Sequence, residues 1–314
     1  MSSIEVSVVI ATRNRPAILS SSMEKALEAS RGLPVEIIIV NDGDPLTTNY
    51  QNEPTIRVFK NPSTGVASAR NYGVKQSNGK TIFFIDDDMW INRNGLDWVI
   101  TNLSIVENEK FVFNLNWEYP NELEKRLLSS KIGKYILASN YNSMWGRMHV
   151  SGQQPSSGLY RFFEIASCSL VMNKELFNGI GGYKEDFIFQ GEDTELSIRL
   201  VEFDIPIFCV FDVLLFHNHS DRLDVKGYLD RERRGFESQF KGELIGLIPK
   251  TSNNYKGFTR LLFHVLRMSE SLLISTIKLL PNNKFLTPFS NKLIGILTSL
   301  QSFKEWRKVS KKYK

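Results

Sequence analysis

Cysteine is scarce in this chain: there are two in 314 residues, Cys168 and Cys209, each inside an apolar run and distant from the other. They build neither a zinc site nor a disulfide framework, and a reducing compartment suits them. Long apolar runs are missing as well. No segment offers the uninterrupted apolar twenty that a bilayer-crossing helix requires, and the opening MSSIEVSVVIATRNRP lacks a positively charged leader. A cytoplasmic chain without a membrane span is expected. Glycine is absent between Val6 and Pro16, which excludes the G-x-G-x-x-G turn of a dinucleotide-binding domain at the first strand. The later cluster Gly179-Ile180-Gly181-Gly182 has Lys184 where the last glycine of that turn belongs. The first strand also lacks the glycine-rich, lysine-containing loop expected of a sugar nucleotidyltransferase.

What is present can bury a full core: 42% of residues are hydrophobic and 23% charged, in a chain long for one domain and short for three. One catalytic domain with an appendage is expected. The net charge of +5 hides an asymmetry, because residues 221–314 hold 19 lysines and arginines against 8 acids, a net of +11, leaving −6 for residues 1–220. A basic final third implies an anionic partner, a membrane surface or lipid phosphate ahead of nucleic acid, and no nucleic acid is expected as the partner of this chain.

The stretch Thr81 to Trp90, TIFFIDDDMW, organises the rest. A run of β-formers leads straight into Asp86, Asp87 and Asp88, so a buried strand ends in dense negative charge. Crowded carboxylates raise one another's pKa, and a divalent cation with a taste for oxygen, Mn2+ or Mg2+, turns that crowding into binding. In open α/β sheets ligands sit at the carboxyl ends of strands. An isolated acidic triplet would be a solvated turn; the surrounding pattern decides otherwise.

Val6 to Ala11 is a continuous, largely β-branched run without amphipathic alternation, as for a strand buried on both faces of a parallel sheet, and Glu36 to Val40 reads as a second buried strand. Between them residues 17–31 read as a helix, with Pro16 in its first turn. Ile56 to Lys60 is a third strand, and Val66 to Gln76 a helix, which carries Arg70 a turn from its start, where an arginine can help backbone N–H groups hold a phosphate. The pattern implies right-handed crossovers in a mostly parallel, Rossmann-like sheet flanked by helices. Further on, helices are expected over Gly95 to Glu107 and Asn121 to Leu137, a strand over Phe111 to Trp117, and a polar loop from Ala138 to Gly158. Phe162 to Met172 reads as one buried strand and Asn173 to Phe177 as a short helix. Glu192 and Asp193 open a helix that runs to Phe203, a placement that the macrodipole alone would favour. Pro206 to Phe216 is a last strand, ending in His217-Asn218-His219. Two histidines at a strand end suggest a further metal ligand; spacing favours His217 and leaves His219 open.

From Val6 to Trp90 the chain resembles the nucleotide-sugar-binding half of the inverting glycosyltransferases of family 2, which have the GT-A fold. The likeness rests on the strand ending ATRNRP, the EIIIVNDGD strand and turn, N-x-x-x-G-x-x-x-A-R-N-x-G from Asn61 to Gly73, and the aspartate cluster, all in that order. It continues in F-x-x-I-G-G-Y, ending at Tyr183, and G-E-D-T-E-L, beginning at Gly191. The resemblance implies that Thr12 and Asp42 lie near the base and ribose of a nucleotide sugar. It implies that Arg70 approaches the base or phosphates, and that Asp86 and Asp88 form the D-x-D pair meeting ribose and metal, with Mn2+ or Mg2+ as cofactor. Asp193 is then the catalytic base and Glu192 a contact to acceptor or sugar, with Glu192 the substitute base. Met89 stands where the family commonly has a fourth aspartate, and Phe189-Gln190-Gly191 where it often has tryptophan before the acidic pair.

The expected domains are 1–220, a catalytic domain with a nucleotide-sugar half (1–90) and an acceptor half (91–220), and 221–314, a basic helical extension. Residues 258–280 read as one amphipathic helix, with Arg260, His264, Arg267, Ser271 and Lys278 on one face and Leu261, Val265, Leu272 and Leu280 among those on the other. With the lysine-rich end from Lys304 to Lys314, such a helix suits either an anionic membrane interface or packing on the rest of the chain. The resemblance implies a nucleoside-diphosphate sugar as donor, a UDP-sugar first, and a glycan or lipid-linked hydroxyl as acceptor. The work expected is surface polysaccharide, glycolipid or lipid-linked oligosaccharide synthesis at the inner face of the membrane, with a homo-oligomer as a further expectation. A non-catalytic nucleotide-sugar sensor or scaffold on the same fold is the competing expectation.

Overall fold

The computed structural model describes residues 3–48, 50, 53–108, 110–148, 152–220, 223–250, 255 and 257–312. It divides into two compact units: residues 1–120, 143–188 and 192–218 in the first, and residues 121–142, 189–191 and 219–314 in the second. Residues 121–142 therefore group with the C-terminal helices.

The first unit is built on a nine-stranded sheet. Strand β1 (Val6–Thr12) is followed by helix α1 (Pro16–Ser30), which starts on a proline whose missing N–H is no loss there. Then come β2 (Val35–Asn41), β3 (Ile56–Lys60), helix α2 (Val66–Gln76) and β4 (Thr81–Asp86). These four strands are parallel in the order β3-β2-β1-β4, with Val9 beside Ile38 on one side and Phe84 on the other. The unbroken apolar runs are explained by burial on both faces: every residue of β2 is buried, as are Ile82, Phe83, Phe84 and Ile85. Helix α2 lies close on the sheet because Gly73 has no side chain; a Cβ there would come within 2.4 Å of Val9 Cγ1.

Beyond β4 the sheet becomes mixed. Strand β5 (Met89–Trp90) precedes helices α3 (Arg93–Thr101) and α4 (Leu103–Asn108), then β6 (Val112–Glu118). The single helix expected over 95–107 is broken at Asn102, whose side chain bonds to the Trp98 carbonyl at 2.8 Å and competes with the helical ladder. Helices α5 (Asn121–Ser129) and α6 (Lys131–Ala138) divide likewise, because Ser130 caps the second by accepting from the Gly133 N–H at 2.8 Å. The polar stretch expected to be a loop contains a one-turn helix α7 (Met144–Arg147), capped by Ser143; residues 149–151 of that stretch lie outside the described residues.

Strands β7 (Leu159–Phe162) and β8 (Ser169–Asn173) replace the one strand expected over 162–172. The break has a clear physical origin. Asn114 on β6 takes both hydrogen bonds of the Ala166 backbone, donating to its carbonyl at 2.6 Å and accepting from its N–H at 3.1 Å, so a loop replaces ladder pairing. Helix α8 (Lys174–Gly179), helix α9 (Glu192–Glu202) and strand β9 (Ile207–His217) complete the unit. The sheet order is β3-β2-β1-β4-β8-β6-β9-β5, with β7 pairing on β9; β8 runs antiparallel to β4.

The second unit is helical: α5, α6, α10 (Val225–Leu244), α11 (Gly257–Met268), α12 (Glu270–Leu279) and α13 (Thr287–Lys312). Helix α13 supplies its spine, with Leu293, Ile294, Leu297, Leu300 and Phe303 recurring at helical spacing in a core closed by Ile132, Leu229, Tyr255 and Ile277. The helix expected over 258–280 is broken at Ser269, and Glu270 at the start of α12 is fastened to Gln301 and Lys304 at 2.8 and 2.9 Å. Of the lysine-rich end, Tyr313 and Lys314 lie outside the described residues.

Candidate active site

The carboxyl ends of β1, β2 and β4 carry the expected donor-side residues. Thr12, the last residue of β1, is buried, and its hydroxyl donates to Asp87 at 2.7 Å. Asp42 follows β2 and is fastened to another set: it accepts from Asn61 Nδ2 at 2.7 Å, from the Gly65 N–H at 3.1 Å and from Arg13 at 3.2 Å. Gly65 suits this clasp for two reasons. Its φ of +113° lies in the left-handed region, and a Cβ would sit 2.8 Å from Ile188 Cα. An open groove of about 510 Å3, lined by residues including Asn41, Gly43, Tyr50, Val58 and Phe59, flanks this loop, and none of its described lining residues is an acid.

The three aspartates take different partners. Asp86, partly exposed, is paired with Arg70 at 2.7 Å. Asp87 is buried and held by Arg15 as well as Thr12. Asp88, the most buried at 1% side-chain exposure, pairs with Arg15 at 2.9 Å and faces His217 Nε2 at 2.9 Å across its other oxygen. Burial, and after it the neighbouring Asp88 charge, push the Asp87 carboxyl upward despite Arg15. Three carboxylates therefore meet two guanidiniums, one of which, Arg70, is shared with Glu192. His217 is set by β9 pairing with β5, which puts it beside Met89 in register, and its ring stands edge-on to Trp117 at 4.8 Å. His219 lies two residues further along the chain, where the second unit begins.

Helix α9 brings the acceptor-side acids. Arg70 reaches Glu192 at 2.8 Å with one guanidinium nitrogen while holding Asp86 with another, and lies over the Tyr183 ring at 5.4 Å. Glu192 and Arg70 are 6% and 3% exposed. Burial first, and then the Asp193 charge, push the Glu192 carboxyl up to about 7, against the pull of Arg70. Its Oε2 is buried without a hydrogen-bond partner among the described residues, an acceptor left for something else.

Asp193 stays reachable, with 20% of its side chain exposed. It is oriented by Ser167, which donates to it both its hydroxyl and, at 3.1 Å, its backbone N–H. Ser167 in turn is bonded to the Tyr183 hydroxyl at 2.5 Å. Arg147, on α7, stands 3.7 Å from Asp193. Next to it in sequence, Trp145 joins Tyr160 and Phe211 in a cluster with ring centroids 5.4 to 6.3 Å apart. Both cysteines are free and buried, and burial raises their thiols far above neutrality, so neither offers a nucleophile.

Arg70, Asp86 and Glu192 are thus brought together, as are Asp88 and His217. Arg15, Ser167 and Arg147 were not foreseen, and Asp87 was foreseen only as a member of the acidic triplet. Arg15 sits in the ATRNRP strand end, and its two aspartate partners lie 72 and 73 residues away; only its place beside the Thr12 position could have signalled it. Ser167 lay hidden in an apparent strand.

Residues 7–148 match the family model described as glycosyl transferase family 2. Hyaluronan synthase of Pasteurella multocida is 23% identical over 252 residues, covering 70% of this chain and 26% of that protein. An uncharacterized glycosyltransferase of Bacillus subtilis is 28% identical over 165 residues, covering 51% of this chain and 59% of that protein. The chain therefore spans less than two thirds of the length of these relatives. Among solved structures, a mannosyltransferase from Pyrobaculum calidifontis in complex with GDP-Man and Mn2+ superposes with a TM-score of 0.54 at 12% identity, covering 100% of this chain and 88% of that one. At that identity the likeness shows the fold.

Proposed function

We propose that the chain, whose residues 7–148 match glycosyltransferase family 2 on a GT-A fold, is a member of that family and moves a sugar from a nucleoside-diphosphate donor to an acceptor hydroxyl with inversion. The observation that carries this proposal is Arg70: one buried guanidinium ties Asp86, at the end of β4, to Glu192, at the start of α9. Residues 16 and 122 positions away from it thereby converge, and donor-side and acceptor-side acids share one place.

In the proposed displacement the acceptor oxygen attacks the anomeric carbon while its proton passes to Asp193. The bond from that carbon to the diphosphate oxygen breaks, and its electron pair leaves with the nucleoside diphosphate. Asp193 suits the base because it is exposed enough to meet a hydroxyl and is aimed by Ser167. Glu192, with one oxygen unsatisfied, suits a hydroxyl of the acceptor or the transferred sugar. Arg147 and the Trp145–Tyr160 pair suit the acceptor side, since aromatic faces pack against sugar rings and Arg147 adjoins the base. Thr12 and Asp42 are proposed to meet the base and ribose.

Asp88 and His217, with His219 two residues along the chain, form a carboxylate and imidazole donor set that fits Mn2+ better than Mg2+, which demands oxygen ligands in strict octahedral order. Asp86 can join by the oxygen that Arg70 leaves, or meet the ribose. Bound there, the ion would serve as a Lewis acid for the departing diphosphate. The Mn2+ bound by the Pyrobaculum calidifontis mannosyltransferase supports this choice. Reduced, buried cysteines support a cytoplasmic location, and surface polysaccharide or lipid-linked oligosaccharide synthesis is the proposed setting.

The test is release of nucleoside diphosphate from a panel of nucleotide sugars and acceptors. Asp193→Asn should lower turnover about 100-fold to 10,000-fold with an unchanged melting curve. Wild-type turnover by a folded Asp193→Asn protein would remove Asp193 as the base.

A further inference from the structure

Helices α11 and α12 bury only part of the apolar surface their sequence carries. Phe263, Leu266, Leu273 and Ile277 turn into the core of the second unit. Phe258, Leu261, Val265, Met268, Leu272 and Leu279 do not, and are 56% to 86% exposed. None of the residues of α11 is buried. Leu261, Val265 and Met268 fall at i, i+4 and i+7, one row along α11, and Leu272 and Leu279 are likewise one row along α12. Both helices pack on α13, which anchors them from one side. Single exposed leucines are ordinary, but six large apolar side chains within 22 residues make a surface that water solvates poorly.

The charge around these rows names the occupant. Residues 257–293 hold Arg260, Arg267, Lys278, Lys284 and Lys292 against a single acid, Glu270, which Lys304 already neutralises at 2.9 Å. A second copy docking here would set cations against cations. A surface bearing phosphates would neutralise them while its acyl boundary takes up the apolar rows. No helix among the described residues is long and apolar enough to cross a bilayer, which leaves a helix lying in the interface. We propose that α11 and α12 form an interfacial anchor that seats the second unit on an anionic lipid surface. This inference does not depend on the transfer reaction.

The experiment is co-sedimentation of the full chain with vesicles of phosphatidylcholine mixed with phosphatidylglycerol, and with phosphatidylcholine alone. The protein is expected to pellet with the anionic vesicles and to be released progressively by salt. The triple variant Leu261→Asp, Met268→Asp and Leu272→Asp should weaken that binding about 100-fold or more, because buried apolar area sets interfacial affinity. Arg260→Glu, Arg267→Glu and Lys278→Glu together should weaken it at least ~100-fold, at roughly five-fold for each basic residue. All six side chains are exposed, so unchanged melting curves should accompany both; the charge variant alone decides the matter if the aspartates disturb the fold. Failure of the wild type to bind anionic vesicles overturns the proposal, as does binding that neither variant alters. So does a wild-type dimer in sedimentation velocity that the aspartate variant dissociates and that vesicles leave intact.

Discussion

Arg70→Met removes a guanidinium and keeps most of its apolar stem, which makes it the sharpest probe of the first unit. Two carboxylates lose their counter-charge. Asp86, with 37% of its side chain exposed, can rehydrate; Glu192, at 8%, cannot. Removing one partner of a buried pair costs about 3–5 kcal/mol, and because Asp86 recovers solvent the lower end applies, about 3 kcal/mol at pH 8. For a domain of this size that is a fall in Tm of roughly 6–12 °C. The pH dependence carries the test. Glu192 already has its pKa raised in the folded protein, so the fold binds more protons than the unfolded chain as pH climbs past the ordinary carboxyl value, and stability declines across that window. Without Arg70 the carboxyl is held higher still, and the variant should keep losing stability above pH 7, where the wild type levels off. Scanning calorimetry at pH 5 and pH 8 should therefore show a much smaller deficit at the lower pH. An equal deficit at both would refute the assignment of Glu192 as the stranded charge.

Glu192→Gln should lessen the decline of wild-type stability between about pH 5 and pH 7, leaving the share that the raised Asp87 carboxyl supplies; an unchanged slope in denaturant titrations would mean that Glu192 takes up no proton on folding. Ser167→Ala removes the hydroxyl donor to the Asp193 carboxylate and keeps the backbone N–H donor, and should lower kcat by as much as about 100-fold while leaving donor KM in place. A shift in KM alone would make Ser167 a binding residue and not a positioning one.

The parallel half of the sheet was legible because strands buried on both faces write themselves as unbroken apolar runs, and Val8 to Ala11, Ile37 to Val40 and Ile82 to Ile85 are such runs. The junctions were less legible. Phe162 to Met172 is apolar throughout, yet the Asn114 side chain, 52 residues away, turns its middle into a loop; a local pattern holds no record of a distant side chain. Asn102, Ser130 and Ser269 break helices for which the apolar spacing predicts continuity. The acids at the strand end and helix start were visible as residue types, but their division of labour was not. That Arg15 serves Asp87 and Asp88 while Arg70 serves Asp86 and Glu192 follows from the pairing of β1 with β4 and the approach of α9 to α2. The apolar residues of 258–280 were recognisable as one face of a helix; which of them meet the core and which meet solvent depends on α13.

Calorimetric titration of UDP, GDP, dTDP and CMP into the full chain, each with Mn2+ and with EDTA, bears most directly on the donor. One nucleotide should bind in Mn2+ and release no heat in EDTA, and Asp88→Asn, with its fold intact, should abolish that binding. Binding of none by the folded wild type, or binding indifferent to both EDTA and Asp88→Asn, would contradict a metal-assisted nucleotide-sugar site at the end of β4.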